Sequence, residues 1–151
     1  MFLSRVKRIF ALTLALFISA LAFTFLRGAY ACKLCAISGE RTFYLYTPSS
    51  QAVFKRLPSV LELNQIQGES VSFAIEEGKW RGDTDAFAWE IGGYFGASFV
   101  FSETACGVTS YYFYADGLYT GVQTQAGLVN LQVAVSGECC AVGSPMIFGG
   151  F

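Results

Sequence analysis

Two cysteines near the amino end have the spacing of a redox pair. Cys32 and Cys35 are separated by two residues. In such pairs a helix amino end lowers the pKa of one thiol, and the other thiol resolves the mixed disulfide. Thioredoxin-type pairs lie between a strand and a helix, whereas this pair follows an apolar segment and runs into Ser38 and Gly39. The context favours a structural or incidental pair, and thiol–disulfide exchange is the alternative.

The other three cysteines are Cys106, Cys139 and Cys140. Exported domains meet oxidising conditions, so a disulfide or a metal site is a hypothesis to weigh. A simple meander would place the turns of Cys106 and Cys139 at opposite ends of a sheet. A zinc site needs four ligands, and the chain has no histidine. We therefore expect free or singly paired cysteines and neither a metal nor another cofactor.

Tyrosines suggest a binding surface. Tyr112 and Tyr114 would share one face of a predicted strand, and Asn130 and Gln132 would add hydrogen-bonding groups to that face. If helices cover only the opposite face, the rings form an open aromatic surface suited to a peptide, glycan or protein partner. Alternatively, these are half-buried sheet residues that reflect β-propensity.

Catalytic patterns are weak in this sequence. Without histidine there is no Ser-His or Cys-His nucleophile pair, so carboxylates would have to act as acid and base. We expect ordinary solvent-exposed surface positions for the available glutamates, which are at positions 62, 69, 76, 77, 90 and 103. We therefore expect a domain that binds or scaffolds and does not catalyse.

The first 31 residues have the layout of an export signal. Basic residues at positions 5, 7 and 8 precede an apolar run over residues 9–26, and Ala29 and Ala31 stand ahead of Cys32. This pattern favours peptidase cleavage before Cys32, while the apolar run is also just long enough to be retained as a membrane anchor. Acylation of Cys32 is a third alternative, although Ala29 stands where an aliphatic residue is expected.

Both main alternatives place the remainder on the extracytoplasmic side, secreted or anchored in the cytoplasmic membrane. The leader holds four of the ten basic residues and none of the acidic ones. The rest of the chain therefore has six basic and eleven acidic residues, a net charge of about −5. A domain with a net negative charge has no basic surface that could neutralise the phosphates of a nucleic acid, so we expect no nucleic-acid partner. The expected organisation is a leader over residues 1–31, a tether over 32–40 and one domain over 41–151.

Alternation of apolar and polar residues predicts strands over residues 42–46, 70–75, 97–101, 109–115, 129–135 and 140–148. Asp116 and Gly117 predict a two-residue hairpin turn. One helix is expected from Ser49 or Ser50 through Leu57, and another begins near Asp83 or Asp85. The predicted class is α+β: an antiparallel sheet of five to six strands, ending in a carboxyl-terminal meander, with two helices on one face and an amino-terminal hydrophobic helix before it.

The carboxyl end resembles a known family. The runs VNLQVAV at 129–135 and GSPMIF at 143–148 are similar to the ending of YwmB-like proteins of spore-forming Gram-positive bacteria. The resemblance covers mainly the last 25 residues, and the chain is shorter than the family norm. It implies an exported protein with a TATA-box-binding-protein-like fold, no established activity and a role in the envelope or in sporulation. The fold name concerns shape and does not imply DNA binding by an acidic exported domain.

Overall fold

A long apolar helix opens the chain. In the computed structural model, which describes residues 2–46, 51–55, 58, 62–74, 83–137 and 139–148, helix α1 spans Phe2–Ala31. Its stretch Val6–Thr24 has a mean hydropathy of 1.9 and none of it is buried against the rest of the protein. At 1.5 Å per residue, 19 residues reach about 28 Å, close to the thickness of a bilayer's hydrocarbon core. By length and composition α1 could cross a membrane, and a signal sequence has the same properties.

After α1, the described residues form short strands and two short helices. In chain order they are β1 (Glu40–Tyr46), β2 (Gln51–Phe54), the 3₁₀ helix η1 (Leu63–Gln65), β3 (Ile66–Ala74), α2 (Thr84–Tyr94), β4 (Ser98–Ala105), β5 (Val108–Tyr114), β6 (Val122–Gln123), β7 (Leu128–Val129), β8 (Leu131–Val135) and β9 (Cys139–Ser144).

Seven of these strands form one antiparallel sheet in the order β2-β1-β3-β9-β8-β5-β4. The last strand, β9, lies at the centre of the sheet between β3 and β8. Strands β6 and β7 pair only with each other, in a separate two-stranded sheet. The predicted α+β class, with an antiparallel sheet and an amino-terminal apolar helix, is confirmed, although the main sheet has one strand more than the predicted five to six.

Helix α2 begins and packs as its sequence predicts. The Asp83 carboxylate caps it by accepting a hydrogen bond from the Ala86 amide at 2.8 Å. Phe87 and Ala88 are buried against β5 and β8. Gly92 lets the helix approach the sheet closely, because a Cβ there would lie 2.8 Å from the ring of Phe113.

The core fills the space between α2 and one face of the sheet. Alternate residues of β8 point into it, as period-two patterning requires. The core cluster consists of Leu34, Val71, Phe87, Ala88, Tyr111, Phe113, Leu131, Val133, Val135, Cys140 and Val142. Burying each large apolar side chain contributes roughly 1.5–3 kcal/mol, so this layer is the main source of the domain's stability.

The helix predicted after position 49 is wrong where the structure describes it. Residues 51–54 form β2, which pairs with β1 from Phe43↔Phe54 to Tyr46↔Gln51. A segment bounded by Pro48 and Pro58 is too short to offset the unfavourable free energy of helix nucleation. Pairing with β1 satisfies the backbone hydrogen-bonding groups of residues 51–54 instead. The proposed caps Ser49 and Ser50, and Leu57, lie outside the described residues. Only α2, of the two helices expected on the sheet, packs there among the described elements.

The hairpin predicted at Asp116 and Gly117 is also wrong. A turn is present and Gly117 has a φ of 83°, but the chain continues to β6, outside the main sheet. Consequently β8 follows β5 directly in the sheet, with Thr109 opposite Val135. Cys106, in the turn before β5, and Cys139, at the start of β9, therefore lie at the same end of the sheet, contrary to the expected opposite ends.

Candidate functional site

The segment that follows α1 is packed into the domain. Leu34 is completely buried and belongs to the core. Its carbonyl accepts a hydrogen bond from the Ile37 amide at 2.9 Å, which turns the chain toward β1. The predicted tether over residues 32–40 is thus docked on the domain, because Leu34 near its start has apolar surface to bury.

Glu69 is a fully buried carboxylate beneath this segment. It continues the inward-facing alternation of Val71 and Phe73 along β3. One carboxylate oxygen accepts a hydrogen bond from the Leu34 amide at 2.5 Å, and the other accepts one from the Cys32 thiol at 3.3 Å. A buried charge needs such partners, since each missing one would leave a desolvated oxygen unpaired.

Arg41 of β1 supplies the countercharge. Its guanidinium lies 2.8 Å from the Glu69 carboxylate, and the same nitrogen donates to the Cys32 sulfur at 3.2 Å. The other terminal nitrogen donates to the carbonyls of Leu34 at 3.2 Å and Ile37 at 2.9 Å. Cys32, Leu34, Arg41 and Glu69 form what we call the Glu69 cluster, which fastens the residues after α1 to β1 and β3.

The predicted redox pair does not have the expected chemistry. Burial, and next the negative charge of Glu69, raise the pKa of the Cys32 thiol to about 12, whereas a redox thiol requires a lowered pKa. Cys35 is exposed, and neither Cys32 nor Cys35 is in a disulfide. The proton of Cys32 is held in a hydrogen bond to a carboxylate, so the geometry gives the thiol a structural role.

Tyr119 connects the Glu69 cluster to an open cleft. The backbone of Lys33 hydrogen-bonds to its hydroxyl, and burial, followed by the charge of Glu69, raises the pKa of this phenol. On its other side Tyr119 lines a cleft of about 500 Å³. The described residues that line the cleft are Ile66, Gln67, Tyr119, Thr120, Val122, Pro145 and Phe148. This volume lies within the usual range for small-ligand sites.

The predicted aromatic binding face is closed. Tyr112 is only 5% exposed, with its ring stacked on Phe101 at 4.3 Å between centroids. Its hydroxyl donates to Glu103 at 2.5 Å and accepts from the Gln132 side chain at 3.4 Å. Burial, with the hydrogen bond to Glu103 next, raises the pKa of Tyr112 to about 12. Tyr114 is half-buried, so the sheet keeps these tyrosines largely inside.

The two polar residues expected on that face have structural partners. The Asn130 side chain is buried and bonds both the amide and the carbonyl of Ala115, at 2.8 and 2.7 Å. Gln132 is buried too, and its oxygen accepts the Ile147 amide at 2.9 Å. The carboxyl-terminal segment therefore contacts this face of the sheet at Gln132. Of the four residues, Tyr112 and Gln132 are brought into direct contact.

Sequence reasoning missed Glu69 as a site residue. The sequence alone offers no reason to separate it from the solvated glutamates, yet extending the alternation of Val71 and Phe73 by one step places it on the buried face. A carboxylate at such a position calls for a cation on a neighbouring strand, and Arg41 lies on β1. In the part of the chain that the structure describes, no group of three or more His, Cys, Asp or Glu residues is placed to hold a metal ion.

In the part of the chain that the structure describes, the protein is an α+β domain preceded by one long apolar helix. Comparisons with protein-family models, with curated proteins and with solved structures found nothing that matches this chain. The resemblance to YwmB-like proteins stays a prediction from the carboxyl-terminal residues.

Proposed function

We propose that the chain is an extracytoplasmic domain that α1 holds at the membrane, where it binds or scaffolds another envelope component. The observation that carries this proposal is the exposed apolar stretch Val6–Thr24, none of which packs on the rest of the protein. Insertion into a bilayer removes those side chains from water. Basic residues on the amino side of the stretch favour an orientation with the domain outside.

The Glu69 cluster supports the proposal that α1 holds the domain at a short, fixed distance from the membrane. Leu34 enters the core three residues after α1 ends at Ala31, and Arg41 holds the carbonyls of Leu34 and Ile37. A domain attached in this way follows its helix closely, which suits a scaffold at the membrane surface. Cleavage before Cys32 would release the same domain on the same side of the membrane.

The cleft beside Tyr119 is the better candidate for a binding surface than the largely buried face around Tyr112. An envelope protein, a peptide or a glycan are the partner classes, and the resemblance to YwmB-like proteins adds an envelope or sporulation role to the proposal. Thiol–disulfide exchange through Cys32 and Cys35 is not favoured, because the Cys32 thiol stays protonated at physiological pH.

Location is tested by labelling with a membrane-impermeant maleimide in spheroplasts. Cys106, an exposed residue at a turn, should react in intact spheroplasts. In a matched variant Cys35, Cys106 and Cys139 are replaced by serine and Ser4→Cys is added, so that the new thiol precedes the apolar stretch and should react only after lysis. Labelling of Cys106 only after lysis would contradict the proposal, and intact mass reports whether the leader is retained.

A further inference from the structure

We infer that the cleft beside Tyr119 binds the uncharged sugar of a membrane glycolipid. This inference deepens the proposed function and rests on it for the position of the cleft, whereas the chemistry of the lining residues stands independently. The cleft of about 500 Å³ is large enough for a sugar ring and its linkage.

The lining chemistry fits a neutral, hydroxyl-rich ring. Tyr119 and Phe148 contribute aromatic surface, on which the C–H face of a sugar packs. Gln67 and Thr120 contribute an amide and a hydroxyl that can donate to and accept from sugar hydroxyls. The Tyr119 hydroxyl is engaged by the Lys33 backbone, so its contribution is its ring.

Charged headgroups match the described lining of the cleft less well than a neutral sugar does. No lysine, arginine, aspartate or glutamate is among the described residues that line it. Arg41, the cation of the adjacent Glu69 cluster, already donates to Glu69, to Cys32 and to two backbone carbonyls. A phosphate would therefore find no free guanidinium in this cluster, and the remainder of the chain after the leader carries an excess of acidic residues.

The position of the cleft points to a ligand at the membrane surface. Tyr119 contacts Lys33, two residues beyond the end of α1, and Ile66 directly follows η1, which contacts α1. Five helical residues separate the apolar run, which ends at Leu26, from the end of α1 at Ala31. They rise about 7 to 8 Å, which matches the depth of a headgroup layer, roughly 5 to 8 Å.

The inference is tested by native mass spectrometry of the full chain in tetraethylene glycol octyl ether micelles, a detergent without sugar. The chain is titrated with monogalactosyl diacylglycerol, phosphatidylcholine and phosphatidylglycerol. We expect the galactolipid to bind about tenfold or more tightly than either phospholipid. Equal affinity for the three lipids would overturn the inference.

Two variants locate the site. Gln67→Leu with Thr120→Val removes the hydrogen-bonding groups but keeps side-chain size, and should abolish the preference for galactolipid. Ser38→Ala with Glu90→Gln alters a second cavity, of about 290 Å³, between α2 and the segment after α1, and should leave the preference unchanged. A preference that survives the first variant, or that falls equally in the second, would overturn the assignment to this cleft.

Methyl β-galactoside separates recognition of the sugar from recognition of the lipid chains. Displacement of the galactolipid by millimolar glycoside supports the inference, and a preference that the glycoside cannot reduce would overturn it. The same spectra give the mass of the chain and show whether the leader is present. Loss of the leader would contradict anchoring while the glycoside measurement still reports on the cleft, so the two proposals fail separately.

Discussion

Arg41 and Glu69 form an ion pair with a nitrogen–oxygen distance of 2.8 Å in which the glutamate side chain is fully buried and the arginine side chain is 18% exposed. The pair joins neighbouring strands, β1 and β3, and also holds the segment that leaves α1. A buried pair of this kind stabilises little by its mere presence, but breaking it leaves a desolvated charge. The attachment of α1 to the sheet therefore depends on both Arg41 and Glu69.

Replacing Arg41 should destabilise the domain strongly. Arg41→Met leaves the Glu69 charge buried without its partner, and we expect a loss of about 3–5 kcal/mol in the free energy of unfolding, measured by urea denaturation. The matched control is Lys55→Met, which breaks the exposed Lys55–Glu40 pair of the same 2.8 Å length and should change stability little. Equal effects of the two substitutions would show that Glu69 is not buried as a charge.

The double variant Arg41→Met with Glu69→Gln separates charge from packing. Glutamine keeps an acceptor for the Leu34 amide while removing the buried charge. We therefore expect this variant to be more stable than Arg41→Met alone.

The five thiols should react in two groups. Cys35, Cys106 and Cys139 are exposed, Cys140 is buried, and Cys32 is half-buried with a pKa raised to about 12. Iodoacetamide at pH 7.5 should therefore modify three cysteines quickly and the other two only after denaturation, because the thiolate is the reactive species. Peptide mapping identifies the sites, and rapid modification of Cys32 or a native Cys32–Cys35 disulfide would revive the redox hypothesis.

Alkaline pH should weaken the fold through Cys32. An unfolded thiol has its ordinary pKa of 9.0 and the folded one has a pKa of about 12. Between these values the unfolded chain has lost a proton that the folded chain keeps, so the free energy of unfolding falls as pH rises. From pH 9 to 11 the free energy of unfolding should therefore fall less steeply with pH in Cys32→Ser than in the wild type. Parallel curves of free energy against pH for the two proteins would contradict the raised pKa of Cys32.

The sequence predicted correctly those secondary-structure elements that residues close in the chain determine. The alternation of β8 and the Asp83 cap of α2 are visible in the sequence because neighbouring residues determine them. Strand β2 was missed because its pairing with β1 outweighs the local helical spacing. Asn130 was expected on an open face. Its side chain instead hydrogen-bonds to the backbone amide and carbonyl of Ala115, as a neighbouring strand would. The two residues are 15 positions apart, so no local pattern reveals this contact.

The Glu69 cluster was only partly within reach of the sequence. The alternation through Val71 and Phe73 is enough to place Glu69 on the buried face. The identity of its partners depends on the β1–β3 register, in which Arg41 lies opposite Val71. Register is set by the whole sheet, so the contact with Cys32 could not be read from spacing.

Tyr112→Ala should disrupt the fold. The side chain is buried against Phe101 and bonded to Glu103 and Gln132, so truncation should cost roughly 3 kcal/mol or more. Tyr112→Phe keeps the ring and should lose about 1 kcal/mol. Urea denaturation of both variants checks this, and a fully stable Tyr112→Ala domain would restore the open binding face that the sequence suggested.

Two adjacent glycines of α2 should respond in opposite directions to alanine. A Cβ at Gly92 would lie 2.8 Å from Cε1 of Phe113, whose ring is completely buried, whereas a Cβ at Gly93 meets nothing within 4 Å. Gly92→Ala should therefore force the helix off the sheet and destabilise the domain by about 1–3 kcal/mol. Gly93→Ala should stabilise it by up to about 1 kcal/mol, because alanine has the higher helix propensity. The two substitutions have the same chemistry in the same helix, so their difference in urea midpoint isolates the close contact. A gain in stability from both would mean that α2 does not pack on β5 through Gly92.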